Sequence, residues 1–279
     1  MSIELINDGT LTEDQLELRD MVHDFMEKEL VPIAAELDKN ATFPLETYKK
    51  VCAMGLGTLE MPEEYGGSGV SYLTSALISE EYGWGDAGFA GTMGAHGIGM
   101  KPLLFAGTKE QCGHFADVVN AGGISAFSLT EPDAGSDVSA ITTTARRVGD
   151  EYILNGRKCF CTNAEFADIF TVFATVDREL GFRGITAFTV DRDTPGLHVG
   201  KHEDKLGQRS SVTNDVVFQD MKLSVENRIG EEGQGMNLAM RTLDCGRPNA
   251  AASAVGLARA ALEHSVKYAK NARPWERPL

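Results

Sequence analysis

The spacing of apolar residues changes period twice along this chain, and that double switch constrains the fold more than any other feature. Thr12-Glu13-Asp14-Gln15 is a capping-box pattern that opens a helix. Behind it Leu18, Met21, Val22, Phe25 and Met26 recur at helical spacing, followed by Leu30, Ile33 and Leu37. Pro32 is expected to kink or divide this stretch. Further helices are expected over 45–54, after Ser71, within 95–105 and near 109–119. The period then falls to two. GISAFSLT, EYILNG, DIFTVFAT, GITAFTVD, GLHVG and NDVVFQDMKL are short β-branched and aromatic runs separated by Gly, Asp, Asn and Pro. Their spacing predicts an antiparallel barrel or sandwich rather than βαβ units. From about Gly235 the helical period returns, in a run roughly three times the usual helix length. Small and apolar residues surround it almost completely, which marks a helix buried among other helices. The expected class is α+β multidomain: an all-α domain over 1–120, a central β domain over 121–231, and the first long helix of a C-terminal helical domain over 232–279.

Composition narrows the partners. Of 279 residues, 42% are hydrophobic and 24% charged, an ordinary globular balance. A net charge of −15 argues against nucleic acid, which needs clustered positive charge. A small anionic ligand stays possible, because a few local Arg or Lys residues suffice to hold one. No run approaches 18 apolar residues, so no membrane span is expected. The acidic start MSIELINDGTLTEDQ lacks the basic-then-apolar order of a signal peptide. Five cysteines, an odd number without a CxxC pair, fit a reducing, cytoplasmic compartment. Cys159 and Cys161 lie two apart on an expected strand, share a face, and read as packing rather than a metal site. The histidines show no metal-ligand spacing, and His96 reads as a packing residue rather than a base. No G-x-G-x-x-G follows a strand, so a Rossmann dinucleotide site is not supported.

The stretch LTEPDAGSD at 129–137 places a threonine, three acids, a glycine and a serine between an apolar run and a polar one. By itself it could be a polar hairpin turn. It has company, in order along the chain: PEEYGGSG at 62–69, ISEEYG at 78–83, EYILNGRKCFCTNAEFAD at 151–168, DTPGLHVGKHEDKLGQRSSVTNDVVFQDMKL at 193–223 and TLDCGRPNAAASAVGLA at 242–258. Together these segments resemble the acyl-CoA dehydrogenase family over nearly the whole chain. The KHEDKLG and TLDCGR wording is most similar to the short-chain, butyryl-type members.

The resemblance implies FAD and the oxidation of an acyl-CoA to the trans-2-enoyl-CoA. A carboxylate takes a Cα proton, hydride leaves Cβ for the flavin, and electrons pass on to an electron-transfer flavoprotein. The thioester carbonyl must be polarised, and donors aimed at its oxygen do this: in the family, a flavin ribityl hydroxyl and the backbone N–H of the catalytic Glu. It also implies site residues. Phe127, Leu129 and Thr130 should line the flavin ring, and Phe160, Cys161 and Thr162 should pack at its other edge. Gly135 and Ser136 should lie near the flavin phosphates and the CoA arm. Gly135 lacks a Cβ and so allows close backbone approach. Asp244 and Arg247, three apart on one helix face, should border the acyl-CoA channel, although Pro248 after them predicts a local kink. Glu131, Asp133 and Asp137 read as turn caps and loop braces rather than a carboxylate dyad. The implied assembly is a homo-oligomer.

The chain departs from the family in two places. The usual catalytic Glu lies later in the C-terminal domain than Leu279, and the alternative position beside the arginine is Gly246, so no catalytic residue is identified. After Tyr268-Ala269, where relatives carry an Arg and then Phe-Gly, this chain has Ala272-Arg273 and Trp275-Glu276. A truncated or frame-altered product, or a fragment, is the expectation, with weak FAD affinity and low turnover if it acts alone. Two other readings remain open from sequence: a non-catalytic interaction module, and an acyl-CoA oxidase.

Overall fold

The computed structural model describes residues 10–271. The expected departures at Ala272, Arg273 and Trp275-Glu276, and the acidic start over 1–9, lie outside the described residues. Helix α1 spans Glu13–Phe25 and opens with the expected capping box: Gln15 N donates to Thr12 Oγ1 at 3.3 Å, and Thr12 N donates to Gln15 Oε1 at 3.0 Å. One π-helical turn, Met26–Leu30, separates it from α2, Val31–Asn40. The division expected at Pro32 therefore falls just before it. Pro32 occupies the first turn of α2, where its missing N–H leaves no bond unmade. Helices α3 (Leu45–Ala53), α4 (Tyr72–Gly85) and α6 (Lys109–Asn120) fall where expected. Helix α5, Ala87–Ala106, starts earlier than the pattern suggested. Asp86 caps it by accepting from Phe89 N at 2.8 Å. Its glycine-rich first half is helical because burial against β-strands and α7 overrides weak propensity.

The strands are β1 (Ser125–Ser128), β2 (Thr144–Val148), β3 (Glu151–Thr162), β4 (Ile169–Thr175), β5 (Ile185–Asp191), β6 (Leu197–His202), β7 (Thr213–Ser224) and β8 (Arg228–Ile229). They form one open sheet in the order β6-β7-β3-β2-β4-β5-β8, with β1 on β4. The helical domain, the central and mainly antiparallel β domain and the long C-terminal helix are as expected; the sheet is not closed into a barrel, and β1–β4 and β2–β4 pair in parallel. The reason is connectivity. The β2–β3 hairpin intervenes between β1 and β4, so β4 returns in the direction of β1. Strands β2 and β8 were not anticipated, since β2 carries exposed arginines and β8 has two residues. Period two is visible in β4, where Ile169 and Phe173 join the core under the helices while Phe170, Val172 and Ala174 join the core on the opposite face.

Helix α7 is continuous over Gly235–Asn271, with Pro248 inside it. It crosses α4 at two glycines. A Cβ on Gly83 would stand 2.0 Å from Ser253 O, and one on Gly256 would stand 1.8 Å from Glu80 O, so only glycine permits this approach. Arg259 then pairs with Glu80 at 2.8 Å, and Trp84 Nε1 donates to Glu263 at 2.9 Å. Burial on all sides was expected of α7. Among the described residues one face is covered, Val255, Leu262 and Val266 are exposed on one flank, and Leu257 is exposed on the other.

Candidate active site

Strand β1 delivers the chain into the 129–137 loop, and a buried ion pair fixes that loop to β3. Glu131 accepts from Lys158 Nζ at 2.8 Å, Thr142 N at 2.6 Å, Thr142 Oγ1 at 2.8 Å and Thr143 N at 3.0 Å. Lys158 Nζ also donates to Leu129 O at 3.0 Å, and Cys159 N donates to Thr130 O at 2.9 Å. Burial alone would raise the Glu131 carboxyl, but the Lys158 ammonium and the donors around it outweigh burial and hold it well below the usual carboxylate range. Burial pulls Lys158 below its ordinary value, and Glu131 opposes that shift. Asp137 accepts from Ser139 N at 3.0 Å, a turn brace as expected, and Asp133 is exposed. The acids of this loop are therefore not assembled as a dyad.

On β3 the register against β7 breaks between Lys158 and Cys161, and Phe160 adopts φ +54°. A left-handed conformation at an aromatic residue is strained, and such bulges re-aim side chains. Here the consequence is an aromatic ring 67% exposed at a strand end. Phe160 faces a cavity of ≈230 Å³ that also meets Phe127, Leu129, Thr130, Gly135 and Thr162. The structure thus gathers six of the expected flavin residues. Neither the Thr130 nor the Thr162 hydroxyl has a hydrogen-bond partner among the described residues, so both are free to serve a ligand.

The remaining expected residues stand off this wall. Cys161 is buried, with Sγ 3.0 Å from Ser128 Oγ and 3.5 Å from Phe127 O, and burial pushes its thiol up to about 12. Ser136 is exposed on the loop. Asp244 and Arg247 form an exposed pair at 3.5 Å on α7, with Arg247 at the edge of a larger cavity. Sequence reasoning missed Ala95, Ile98, Val138 and Leu243, which complete the smaller cavity. Ala95, Ile98 and Leu243 give no local signal, because only the docking of α7 on α5 brings them together.

The larger cavity, ≈720 Å³, lies among α4, α5 and α7 and shares Ala95, Ile98 and Leu243 with the smaller one. His96 touches it but is committed to structure. Ser125 N donates to Nδ1 at 3.2 Å, which leaves the proton on Nε2, 2.8 Å from Gly57 O. Burial lowers its pKa to about 4, so it is neutral. It packs, as the sequence suggested. No carboxylate or imidazole belongs to the wall of the smaller cavity among the described residues.

Helices cover one face of the open sheet and the slot lies at its strand ends; the comparisons with known proteins identify this architecture. The N-terminal, middle and C-terminal domain models of acyl-CoA dehydrogenase match residues 12–122, 126–221 and 233–279. The chain belongs to the acyl-CoA dehydrogenase family. It is 42% identical over 271 residues to the mitochondrial short-chain specific acyl-CoA dehydrogenase of Rattus norvegicus, covering 96% of this chain and 66% of that protein. The chain thus spans just under two thirds of that relative's length. The butyryl-CoA dehydrogenase structure from Megasphaera elsdenii superposes with a TM-score of 0.93 at 41% identity, covering 98% of this chain and 73% of that one. An acyl-CoA dehydrogenase from Bacillus anthracis complexed with FAD superposes with a TM-score of 0.89 at 33% identity, covering 98% of this chain and 48% of that one.

Proposed function

We propose that this chain binds FAD and carries the flavin and acyl half-sites of a short-chain acyl-CoA dehydrogenase, which forms the trans-2-enoyl-CoA. The observation that carries the reading is the Phe160 bulge over a slot whose two threonine hydroxyls are unspent. Phe127, Leu129 and Phe160 would bound the flavin ring, with Thr130 and Thr162 hydrogen-bonding at its polar edge. The backbone of Cys159 and the side chain of Lys158 hold the loop in that position. Gly135 and Ser136 sit at the exposed mouth, where the phosphates and the CoA arm would enter, and Cys161 supports the strand from beneath. When bound, the flavin accepts the hydride from Cβ.

The protein's own contribution is placement and exclusion of water. The shared wall of Ala95, Ile98 and Leu243 lets an acyl chain leave the slot for the larger cavity. The D-x-x-R pair of Asp244 and Arg247 would border its mouth. We assign the proton-abstracting base to none of the described residues. Electrons would pass to an electron-transfer flavoprotein. A homo-oligomer would cover the apolar outer face of α7. Five free cysteines support a reducing, cytoplasmic setting, and no described helix is long and apolar enough to cross a membrane.

A spectral titration tests this reading. Purified protein titrated with FAD should show a perturbed flavin band with an end point, and butyryl-CoA should then perturb or bleach it. A flavin spectrum identical to that of free FAD at all protein concentrations would reject the proposal.

A further inference from the structure

The second half of α7 is held to the N-terminal helices by a compact group of charges that lines neither cavity. Glu81, on α4, is buried, with its side chain 1% exposed. One of its oxygens, Oε2, accepts from Arg259 Nη2 of α7 at 2.5 Å and from His23 Nδ1 of α1 at 2.8 Å. Arg259 also donates to Glu80 at 2.8 Å. The Trp84 ring lies against the imidazole, with centroids 4.1 Å apart, and its Nε1 donates to Glu263. Three helices thus meet at one carboxylate. The group stands beside the Gly83 and Gly256 crossing, where the α4 and α7 backbones touch. Leu257, two residues before Arg259, is still on the wall of the larger cavity.

These charges do not balance without the imidazole. Glu80 and Glu81 are two carboxylates sharing one guanidinium. Arg19 of α1 acts on Glu80 from further off, but it is itself bound to Asp20 at 2.6 Å. Glu27, in the π-helical turn after α1, and Glu263 of α7 add only negative charge. A protonated His23 supplies the second cation. A neutral one can keep its Nδ1–H bond to Glu81, but it leaves excess negative charge in half-buried surroundings, which is costly. The surroundings favour the proton: the bond to Glu81 raises the imidazole above its ordinary 6.5, and Glu27 adds to the rise, while burial and Arg259 oppose it. Burial also raises the Glu80 carboxyl, against the pull of Arg259.

We propose that His23 is a protonation-controlled latch: its imidazolium fastens α1 and the second half of α7 onto α4, and loss of its proton loosens both. The sign follows from the direction of the shift. A histidine raised in the folded state stabilises fully below its unfolded value, and that contribution is lost as pH rises through the folded value. The latch is therefore closed in mild acid and slackens as pH climbs above 6.5. It acts on how firmly α7 is seated, not on any group that faces the flavin slot.

Histidine NMR titration of the full chain, combined with amide hydrogen exchange corrected for its intrinsic pH dependence, tests this. The His23 midpoint should lie above 6.5. Amide protection over 16–23 of α1 and 256–266 of α7 should fall severalfold as pH passes through that midpoint. Protection in β7, which the group does not touch, should show no such step. His23→Gln keeps an N–H for Glu81 but cannot titrate, and His23 is partly exposed, so this variant should fold and lack the step. A midpoint at or below 6.5, or protection that is flat through the midpoint, would overturn the latch. So would an equal step in β7, or a step that persists in His23→Gln.

Discussion

Replacing Lys158 by Met removes the cation beneath the 129–137 loop and leaves the Glu131 carboxylate, 3% exposed, with only neutral donors. Held at about 2 instead of 4.5, that carboxylate contributes about 3 kcal/mol to stability near neutrality. Its folded pKa is depressed, so the contribution is present above pH 4.5 and is lost as pH falls through 2. Lys158 has the opposite account. Burial lowers it to about 8 from 10.5, which costs a comparable amount below pH 8 and is recovered as pH rises above 8. The pair is therefore near neutral as a unit, while breaking it strands a charge. The single change Lys158→Met should cost about 3 kcal/mol, the lower end for a broken buried pair, because Thr142 and Thr143 still donate to Glu131. That corresponds to a fall in Tm of about 6–12 °C. The double change Glu131→Gln with Lys158→Met should cost less than about 1 kcal/mol. Thermal melts at pH 7 followed by circular dichroism decide it. A single variant no less stable than the double would refute the stranded-charge argument.

Three further outcomes follow from the same geometry. Phe160→Gly relieves the φ +54° strain but loses the aromatic platform, so stability should change by less than about 1 kcal/mol while FAD affinity falls about tenfold, read by flavin fluorescence. Gly256→Ala drives a Cβ into Glu80 O and should cost about 3 kcal/mol by denaturant titration, whereas Gly113→Ala, in open space on α6, should stabilise by up to about 1 kcal/mol. His96 is neutral when folded, with a pKa of about 4 against 6.5, so stability should decline by up to about 3 kcal/mol as pH falls from 6.5 to 4, and His96→Gln should flatten that part of the profile in urea melts across pH.

Much of the architecture was legible because it is written locally. Capping residues Thr12, Ser71 and Thr108 mark helix starts, and short β-branched and aromatic runs such as IFTVFAT mark strands. What was not legible depends on contacts far apart in sequence. The open mixed sheet follows from how the β2–β3 hairpin is inserted, and no residue pattern within a strand announces a parallel partner. The bulge at Phe160 hides inside the run KCFCT, where plain alternation would put both cysteines on one face and Phe160 on the other. Phe127, Leu129, Thr130, Gly135, Phe160 and Thr162, expected from two sequence motifs, line one cavity. The α5 and α7 walls, and the His23–Glu81–Arg259 group, join residues far apart in the chain, 178 positions for Glu81 and Arg259, and carry no local mark.

The account's central claim is that the slot under Phe160 holds the isoalloxazine ring and opens into the larger cavity past Ile98 and Leu243. A crystal structure of the protein with FAD and butyryl-CoA tests it most directly. The ring should lie against Phe160 with Thr130 or Thr162 in hydrogen-bond range, and the butyryl chain should pass between Ile98 and Leu243. A ring bound elsewhere, or a slot closed by the Phe160 side chain with the thioester outside it, would contradict the account.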